Sequence, residues 1–380
     1  MPKVIVGMSG GVDSSITAYL LREQGYEVEG LSFLLFEARG RTDATTCCSL
    51  QAIEDASKTA SAIGIPHSSV NVRNDFIEKV IEPFVDSYTK GLTPNPCILC
   101  NKYIKFPYLM KEADKRGAEF IATGHYAQIE RKLTADSYQP TAFLKKGIDP
   151  KKDQSYFLYV LRWEELRRIL FPLGDYKKED VRKLANELKL PAAQRPESQE
   201  ICFIEDKNYF GLIDKITPDA SGPIMDMNGE ILGEHKGIYH YTIGQRKGLG
   251  ISSQEPLYVT KIDAEKNIVY VGSQEHAKVK EFEVSDLNWL IKGNELCVMS
   301  NEYKAEIVFA CHASRITHHV FRATVKVRSM MKSEPAVICA ASDLKTVKIV
   351  FDKPQWAPAP GQSAVFYNED VVLGGGIIRG

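Results

Sequence analysis

Ser9-Gly-Gly-Val-Asp-Ser14 follows the short apolar run Val4 to Val6 and opens a periodic segment through Ile16, Leu20 and Leu21. These residue types in this order suit an anion. Gly10 and Gly11 let the backbone approach a ligand, Ser9, Ser14 and Ser15 add hydroxyl donors, and a helix start presents unpaired amides and its positive dipole end. The implied ligand is pyrophosphate. A kinase-type loop needs G-x-x-x-x-G-K-[ST] and a dinucleotide loop needs G-x-G-x-x-G, and neither is present. Asp13 instead suits Mg²⁺ beside a leaving pyrophosphate, which points to ATP cleaved between its α and β phosphates with transfer of AMP.

The second chemical resource is sulfur. Cys97 and Cys100 stand in the proline-stiffened stretch Thr93-Pro-Asn-Pro-Cys-Ile-Leu-Cys-Asn-Lys102, and Cys202 stands in Glu197-Ser-Gln-Glu-Ile-Cys-Phe203. C-x-x-C alone permits thiol exchange, half a zinc site or an iron–sulfur ligand pair. Structural zinc wants a second such pair, and none is well placed. Joined to an AMP-forming loop, the thiols suggest a reaction. Adenylation makes a carbonyl oxygen a leaving group and sulfur displaces it, one cysteine carrying a persulfide and the other releasing its sulfur by exchange.

These groups require strands that end in loops. The first 200 residues alternate strand-like and helix-like segments, the pattern of an open, mostly parallel sheet covered by helices. Strands are expected at Tyr26 to Phe36, Ser68 to Val72 and Phe120 to Thr123, and helices at Leu50 to Ile63 and Phe76 to Lys90. Ligand loops then fall at Ser9 to Ser15, Phe33 to Phe36 and Thr123 to Tyr126. Past Phe203 the chain turns to short runs rich in Val, Ile and Tyr between turn signals. From about residue 280 some six strands, among them Thr324 to Val327, Thr346 to Phe351 and Ser363 to Tyr367, predict a small β-barrel.

With 380 residues, 44% hydrophobic and 26% charged, the chain has length for two or three domains. It reads as a soluble cytoplasmic protein with neither signal peptide nor membrane span. Eight cysteines in a reducing compartment suggest chemistry or metal before structural disulfides. The net charge of −1 excludes a coat of basic residues but not a basic face, and Lys145, Lys146, Lys151, Lys152, Arg162, Arg167, Arg168, Arg246, Lys247, Arg322, Lys326, Arg328 and Lys332 keep RNA in view. Cys47-Cys48 are read as packing or loop residues, and Cys311-His312 with His318 and His319 as barrel surface.

Gly7-Met-Ser-Gly-Gly-Val-Asp-Ser14, Thr93-Pro-Asn-Pro96, Cys100-Asn-Lys102, Ala122-Thr-Gly-His-Tyr126, Asp153-Gln-Ser-Tyr156, Ser198-Gln-Glu-Ile-Cys202, Gly244-Gln-Arg-Lys-Gly-Leu-Gly250 and Pro360-Gly-Gln362 occur in this order. Together they closely resemble the tRNA-specific 2-thiouridylase (MnmA/TrmU) family, over essentially the whole chain to Leu373-Gly-Gly-Gly-Ile-Ile378. The resemblance implies an α/β PP-loop (Rossmann-like) domain over 1–205, a small mostly-β central domain over 206–278 and a tRNA-contacting β-barrel over 279–380. It implies ATP-dependent 2-thiolation of the wobble uridine of tRNA, by adenylation of the 2-oxygen and sulfur transfer from a cysteine persulfide.

By the same resemblance, Cys100 is the nucleophile and Cys202 the persulfide carrier, with a transient disulfide between them. Gly7, Met8, Ser9, Gly10, Gly11, Val12, Asp13, Ser14, Phe33 and Gly124 line the ATP site, Phe33 standing where the family commonly has Met. Asn95, Pro96 and Cys97 face the target base. His125, Asp153, Gln154, Ser155, Arg328, Ser329 and Gln362 contact the tRNA. The partners are tRNA and a sulfur donor, either a cysteine desulfurase or a persulfide relay protein, and the cofactors are ATP and Mg²⁺.

One departure stands out: the family's commoner motif has an acid/base Asp where this chain has Cys97. A thiol with an ordinary pKa near 8.5 is mostly neutral at pH 7. Either that Asp role is dispensable, or Cys97, Cys100 and Cys202 together ligate a [4Fe–4S] cluster with one open iron. Two rival classes share parts of the pattern. An amide-forming ATP-pyrophosphatase synthetase would use the same loop without needing Cys100 or Cys202, and a non-catalytic tRNA-binding module would leave the loop and both cysteine segments unexplained.

Overall fold

The computed structural model describes residues 1–36, 50–132, 141–195, 201–204, 220–291, 319–340 and 345–380. The chain divides into two compact units, one of Met1–Ile81, Pro96–Glu205 and Asp370–Val372, the other of Glu82–Asn95, Asp206–Glu369 and Leu373–Gly380.

The first unit runs β1 (Lys3–Gly7), α1 (Val12–Glu23), β2 (Glu27–Leu34), α2 (Leu50–Ile63), β3 (His67–Asn71) and α3 (Arg73–Phe76). After α4 (Glu82–Thr89), which groups with the second unit, come α5 (Pro96–Cys100), α6 (Phe106–Lys115), β4 (Phe120–Thr123), β5 (Ala127–Lys132) and β6 (Thr141–Lys146). The unit closes with α7 (Ser155–Leu158), β7 (Ile169–Leu170) and α8 (Lys178–Glu187).

Strands β3, β2, β1, β4 and β7 lie in that order, every pairing parallel, as expected from the alternating pattern. Val4, Ile5 and Val6 of central β1 are fully buried, which is why they form an unbroken apolar run rather than an alternation. Ile16, Leu20, Ala56, Ala60, Val181 and Ala185 bring α1, α2 and α8 into one core. The carboxyl ends of β1 and β4, paired Gly7 to Thr123, set the PP-loop and Gly124 side by side.

The single helix expected over Phe76 to Lys90 is instead α3, a π-helical turn over Ile77–Ile81, and α4. A second π turn, Asn101–Lys105, joins α5 to α6. Each is followed two residues on by a proline, Pro83 or Pro107. A proline ring strikes the carbonyl four residues back and offers no amide to it, and an extra residue in the turn relieves both defects.

The second unit contains β8 (Gly222–Met225), β9 (Ile231–His235), β10 (Tyr258–Asp263) and β11 (Ile268–Gly272), ordered β10-β11-β8-β9 over a core of Ile224, Val259, Val269 and Val271. Then β12 (Lys278–Trp289), β13 (His319–Lys326), β14 (Glu334–Ala340), β15 (Val347–Trp356), β16 (Ser363–Asn368) and β17 (Val371–Ile378) follow in order β12-β15-β14-β13-β16-β17. Pairing of β12 with β17 closes six strands into the expected barrel. Among the described residues no helix is long and apolar enough to cross a membrane. Cys47, Cys48, Cys311, His312 and His318 lie outside the described residues.

Candidate functional site

The PP-loop is held by its own hydroxyls. Ser9 N–H donates to Ser14 Oγ (3.2 Å), Ser14 Oγ donates to Gly11 O (3.1 Å) and Ser15 Oγ donates to the same carbonyl (2.8 Å). Gly11, the N-cap of α1, has no side chain with which to cap it, so the first amides of the helix are left for a ligand. Gly10 sits in the left-handed region at φ +73°, where a Cβ would run into Ala52 O. Across the loop, a Cβ on Gly124 would lie 2.8 Å from Asp13 C and 2.9 Å from Ser14 N. The chain leaving β4 comes this close because the residue after the strand is glycine.

These segments enclose a cavity of about 250 Å³. Its lining includes Gly7, Met8, Ser9, Gly11, Val12, Asp13, Ser14, Phe33 and Gly124, nine of the ten expected nucleotide residues, while Gly10 faces the other way, toward Ala52 and Arg195. Met8, Leu31, Phe33 and Leu109 make an apolar end, and Phe33 meets the ring of Tyr108 edge-on at 6.2 Å. Such a wall suits an adenine face. The other end is cationic, with Lys105, Lys178, Arg182 and Arg195 around Asp13, the one carboxylate of the lining among the described residues.

All four of those cations escaped sequence reasoning, Lys178 and Arg195 among them. Lys178 Nζ lies 2.7 Å from both oxygens of Asp13, and the Tyr126 hydroxyl donates to Oδ1 at 2.8 Å. Arg195 Nη1 donates to Gly10 O (3.1 Å) and faces Asp55 at 3.2 Å, bracing the loop from α2. Neither Lys178 nor Arg195 belongs to a local motif; Lys178 opens a helix, and Arg195 follows a short turn, Pro191–Gln194. A carboxylate together with phosphate oxygens has the chemistry to hold Mg²⁺, which keeps several non-protein ligands, and Asp13 would be the residue to supply it here.

His125 lines the same cavity, stacked on Phe106 at 5.9 Å and edge-on to Phe171, with Nδ1 2.7 Å from Thr123 Oγ1. Burial, with a smaller contribution from the positive charge of Lys105, pushes its pKa down to about 3, so the ring is neutral at physiological pH. Asp153 accepts from Gly147 N (3.2 Å), Ser155 N (3.1 Å) and Ser155 Oγ (3.0 Å), tying the start of α7. Gln154 accepts from Tyr126 N at 3.0 Å and reaches the cavity.

Cys97 is exposed on α5, whereas Cys100 at its end is buried at 4% exposure. Next to it, Asn101 donates to Phe157 O (3.0 Å) and leaves its buried Oδ1 without a partner. Cys202 is half-buried, and its neighbour Phe203 meets Phe76 edge-on at 5.7 Å. The π turn after Phe76 packs on α5, so both cysteine segments border one helical stretch. Among the described residues no three His, Cys, Asp or Glu side chains gather as a metal site.

In the second unit, Arg328 Nη2 donates to Ile243 O and Ala357 O, both at 2.8 Å, fastening the central sheet's loop to the barrel. Ser329 follows it, half-buried, before the exposed Met330. Gln362 donates to Thr93 O at 3.0 Å, two residues before Asn95. Several of the scattered cations are paired locally, Lys145 with Glu130 and Asp370, Arg168 with Asp114, and Arg322 with Asp352.

A family model described as the tRNA methyl transferase HUP domain matches residues 2–206, its PRC-barrel domain matches 211–273, and the aminomethyltransferase beta-barrel domain matches 279–378. The tRNA-specific 2-thiouridylase MnmA 1 of Caldanaerobacter subterraneus subsp. tengcongensis is 48% identical, covering 99% of this chain and 98% of that protein. MnmA 2 of Thermoanaerobacter sp. strain X514 is 47% identical over the same shares, and MnmA of Halothermothrix orenii is 43% identical over 100% and 99%. With a cavity that joins an apolar wall to a cationic end, bordered by the helix of Cys100, and relatives matched from end to end, the chain belongs to the tRNA-specific 2-thiouridylase family.

Proposed function

We propose that the chain activates the wobble uridine of tRNA with ATP and replaces its 2-oxygen by sulfur, and that Cys100 and Cys202 carry the sulfur step. One observation supports this reading above the others. The helix that continues from Cys100 through the π turn into α6 supplies Lys105 and Leu109 to the nucleotide cavity. Nucleophile and nucleotide wall are thus one continuous element, which suits chemistry at a single adenylated carbon.

The uridine 2-oxygen attacks the α-phosphorus and expels pyrophosphate. The cationic end of the cavity is the place for that leaving group, and Mg²⁺ on Asp13 would neutralise part of its charge. The terminal sulfur of a Cys202 persulfide then attacks C2, and AMP leaves with the former 2-oxygen. Cys100 thiolate attacks the Cys202 sulfur of that adduct, forming a Cys100–Cys202 disulfide and freeing the thiocarbonyl. A cellular dithiol reduces the disulfide, and a cysteine desulfurase or relay protein reloads Cys202. Asn95, Pro96 and Cys97 face the base, while His125, Asp153, Gln154, Ser155, Arg328, Ser329 and Gln362 approach the tRNA, Arg328 and Gln362 doing so while holding backbone. Thiols that must cycle suit a reducing cytoplasm.

Nucleoside mass spectrometry after reaction with tRNA, ATP and a persulfide donor tests the reading. Wild type yields 2-thiouridine, and Cys100→Ser and Cys202→Ser yield none while both still bind ATP. Thiouridine formation by Cys202→Ser from the same donor would overturn the assignment.

A further inference from the structure

The contacts of Asp13 carry a consequence for how metal reaches this cavity. Its two oxygens are both taken by one ammonium at 2.7 Å, and the Tyr126 hydroxyl takes Oδ1 as well. Lys178 is firmly placed for this. Its backbone amide donates to Asp149 Oδ2 at 3.0 Å, its ammonium lies 5.6 Å from the centre of the Tyr126 ring, and its side chain is 9% exposed against 32% for Asp13. Both residues line the cavity, and Asp13 is the only carboxylate that does so among the described residues. A small divalent cation needs those oxygens at about 2.0–2.1 Å, a position that a chelating ammonium denies it.

We propose that Lys178 is a place-holder cation: it keeps Asp13 closed to divalent metal until a polyphosphate enters, then passes its ammonium to the phosphates and leaves the carboxylate to the metal that arrives with them. The exchange conserves charge. Before it, one carboxylate is matched by one ammonium; after it, the metal stands on the carboxylate and the ammonium on phosphate oxygens, which carry more negative charge than Asp13. Lys105, Arg182 and Arg195 also line the cavity, so other cations stand there to meet the phosphates before Lys178 turns to them. The loop, which has no lysine of its own, thereby uses one from 165 positions downstream. Metal alone is refused, and metal with nucleotide is admitted. The inference deepens the ATP reading and rests on it.

Mn²⁺ serves as the probe, titrated into the full-length protein and followed by electron paramagnetic resonance, first alone and then with α,β-methylene-ATP. Wild type alone is expected to bind Mn²⁺ at least tenfold more weakly than Lys178→Met, whose Asp13 is uncovered, and Asp13→Asn in the Lys178→Met background loses the gain. Lys178→Arg keeps a cation on Asp13 and excludes Mn²⁺ as wild type does. With the analogue, wild type takes up Mn²⁺ and nucleotide together, and Lys178→Met binds nucleotide about tenfold more weakly. Lys178→Gln replaces Lys178→Met if the apolar side chain prevents folding. Equal Mn²⁺ affinity of wild type and the uncovered variant without nucleotide would overturn the place-holder. Failure of wild type to bind Mn²⁺ with the analogue would instead remove the ATP reading, leaving the metal-alone comparison to decide the role of Lys178.

Discussion

Gly124 is the residue on which the cavity's geometry turns, because it lets β4 end against the backbone of the PP-loop. Gly124→Ala places a methyl 2.8 Å from Asp13 C, a backbone atom that cannot swing aside. The expected cost is about 1–3 kcal/mol of stability, seen as a lowered melting temperature, together with loss of ATP binding by calorimetry. Burial sets the pH response. His125, held at about 3, and His235, held below its ordinary value by burial, with Nδ1 accepting from Gly237 N and Nε2 facing Asn267 O, are both neutral in the folded protein at pH 7. A base whose folded pKa is lowered contributes stability in full above the unfolded value near 6.5, and that contribution is lost as pH falls below it. For His125 the loss continues down to about 3. The melting temperature should therefore decline from pH 7 to pH 4, and His235→Gln should flatten the decline; an unchanged slope would remove His235 from the account. The PP-loop residues were legible in the sequence because their chemistry is local. Lys178 was not, since in Lys177-Lys178-Glu179-Asp180 it looks like one more solvated helix start and only the fold carries it to Asp13.

At the scale of elements, the parallel sheet was readable from its apolar runs, and Leu50–Ile63 and Phe120–Thr123 fall where turn signals and burial required. The π turns were not readable. Hydrophobic spacing distinguishes a helix from a strand but is too coarse to register one surplus residue, although Pro83 and Pro107 were its visible cause. The second turn, Asn101–Lys105, sets how Cys100 faces relative to α6. Tyr103 within it is 41% exposed, so its side chain is of little use to the core. Deleting Tyr103 should restore an α-helical ladder and rotate Cys100 by about 100° relative to α6. The deletion variant is expected to keep its far-ultraviolet circular dichroism and lose 2-thiouridine formation. Full activity would show the wide turn to be incidental.

At the scale of the whole molecule, the order of the chain is not the order of its compact units. Glu82–Asn95 interrupts the first unit in sequence yet groups with the second. The barrel was legible from strand lengths and turns, but this exchange was not, because nothing local in Thr93-Pro-Asn-Pro96 says what it will bond to. Thr93 N–H donates to Pro360 O at 2.8 Å, and Thr93 O accepts from Gln362 Nε2 across 269 positions of chain. The stretch that runs into Pro96 and Cys97 is therefore clasped on both faces of one residue by a barrel turn. A clasped amide trades its hydrogen with solvent only when the clasp opens. Thr93 should thus exchange at the pace of the barrel's amides rather than at that of a proline-rich loop, and Gln362→Ala should speed it selectively, readable by deuterium uptake. A barrel remote in sequence would then time the opening of Thr93, and slow weakening of the barrel would show first as restlessness at Thr93.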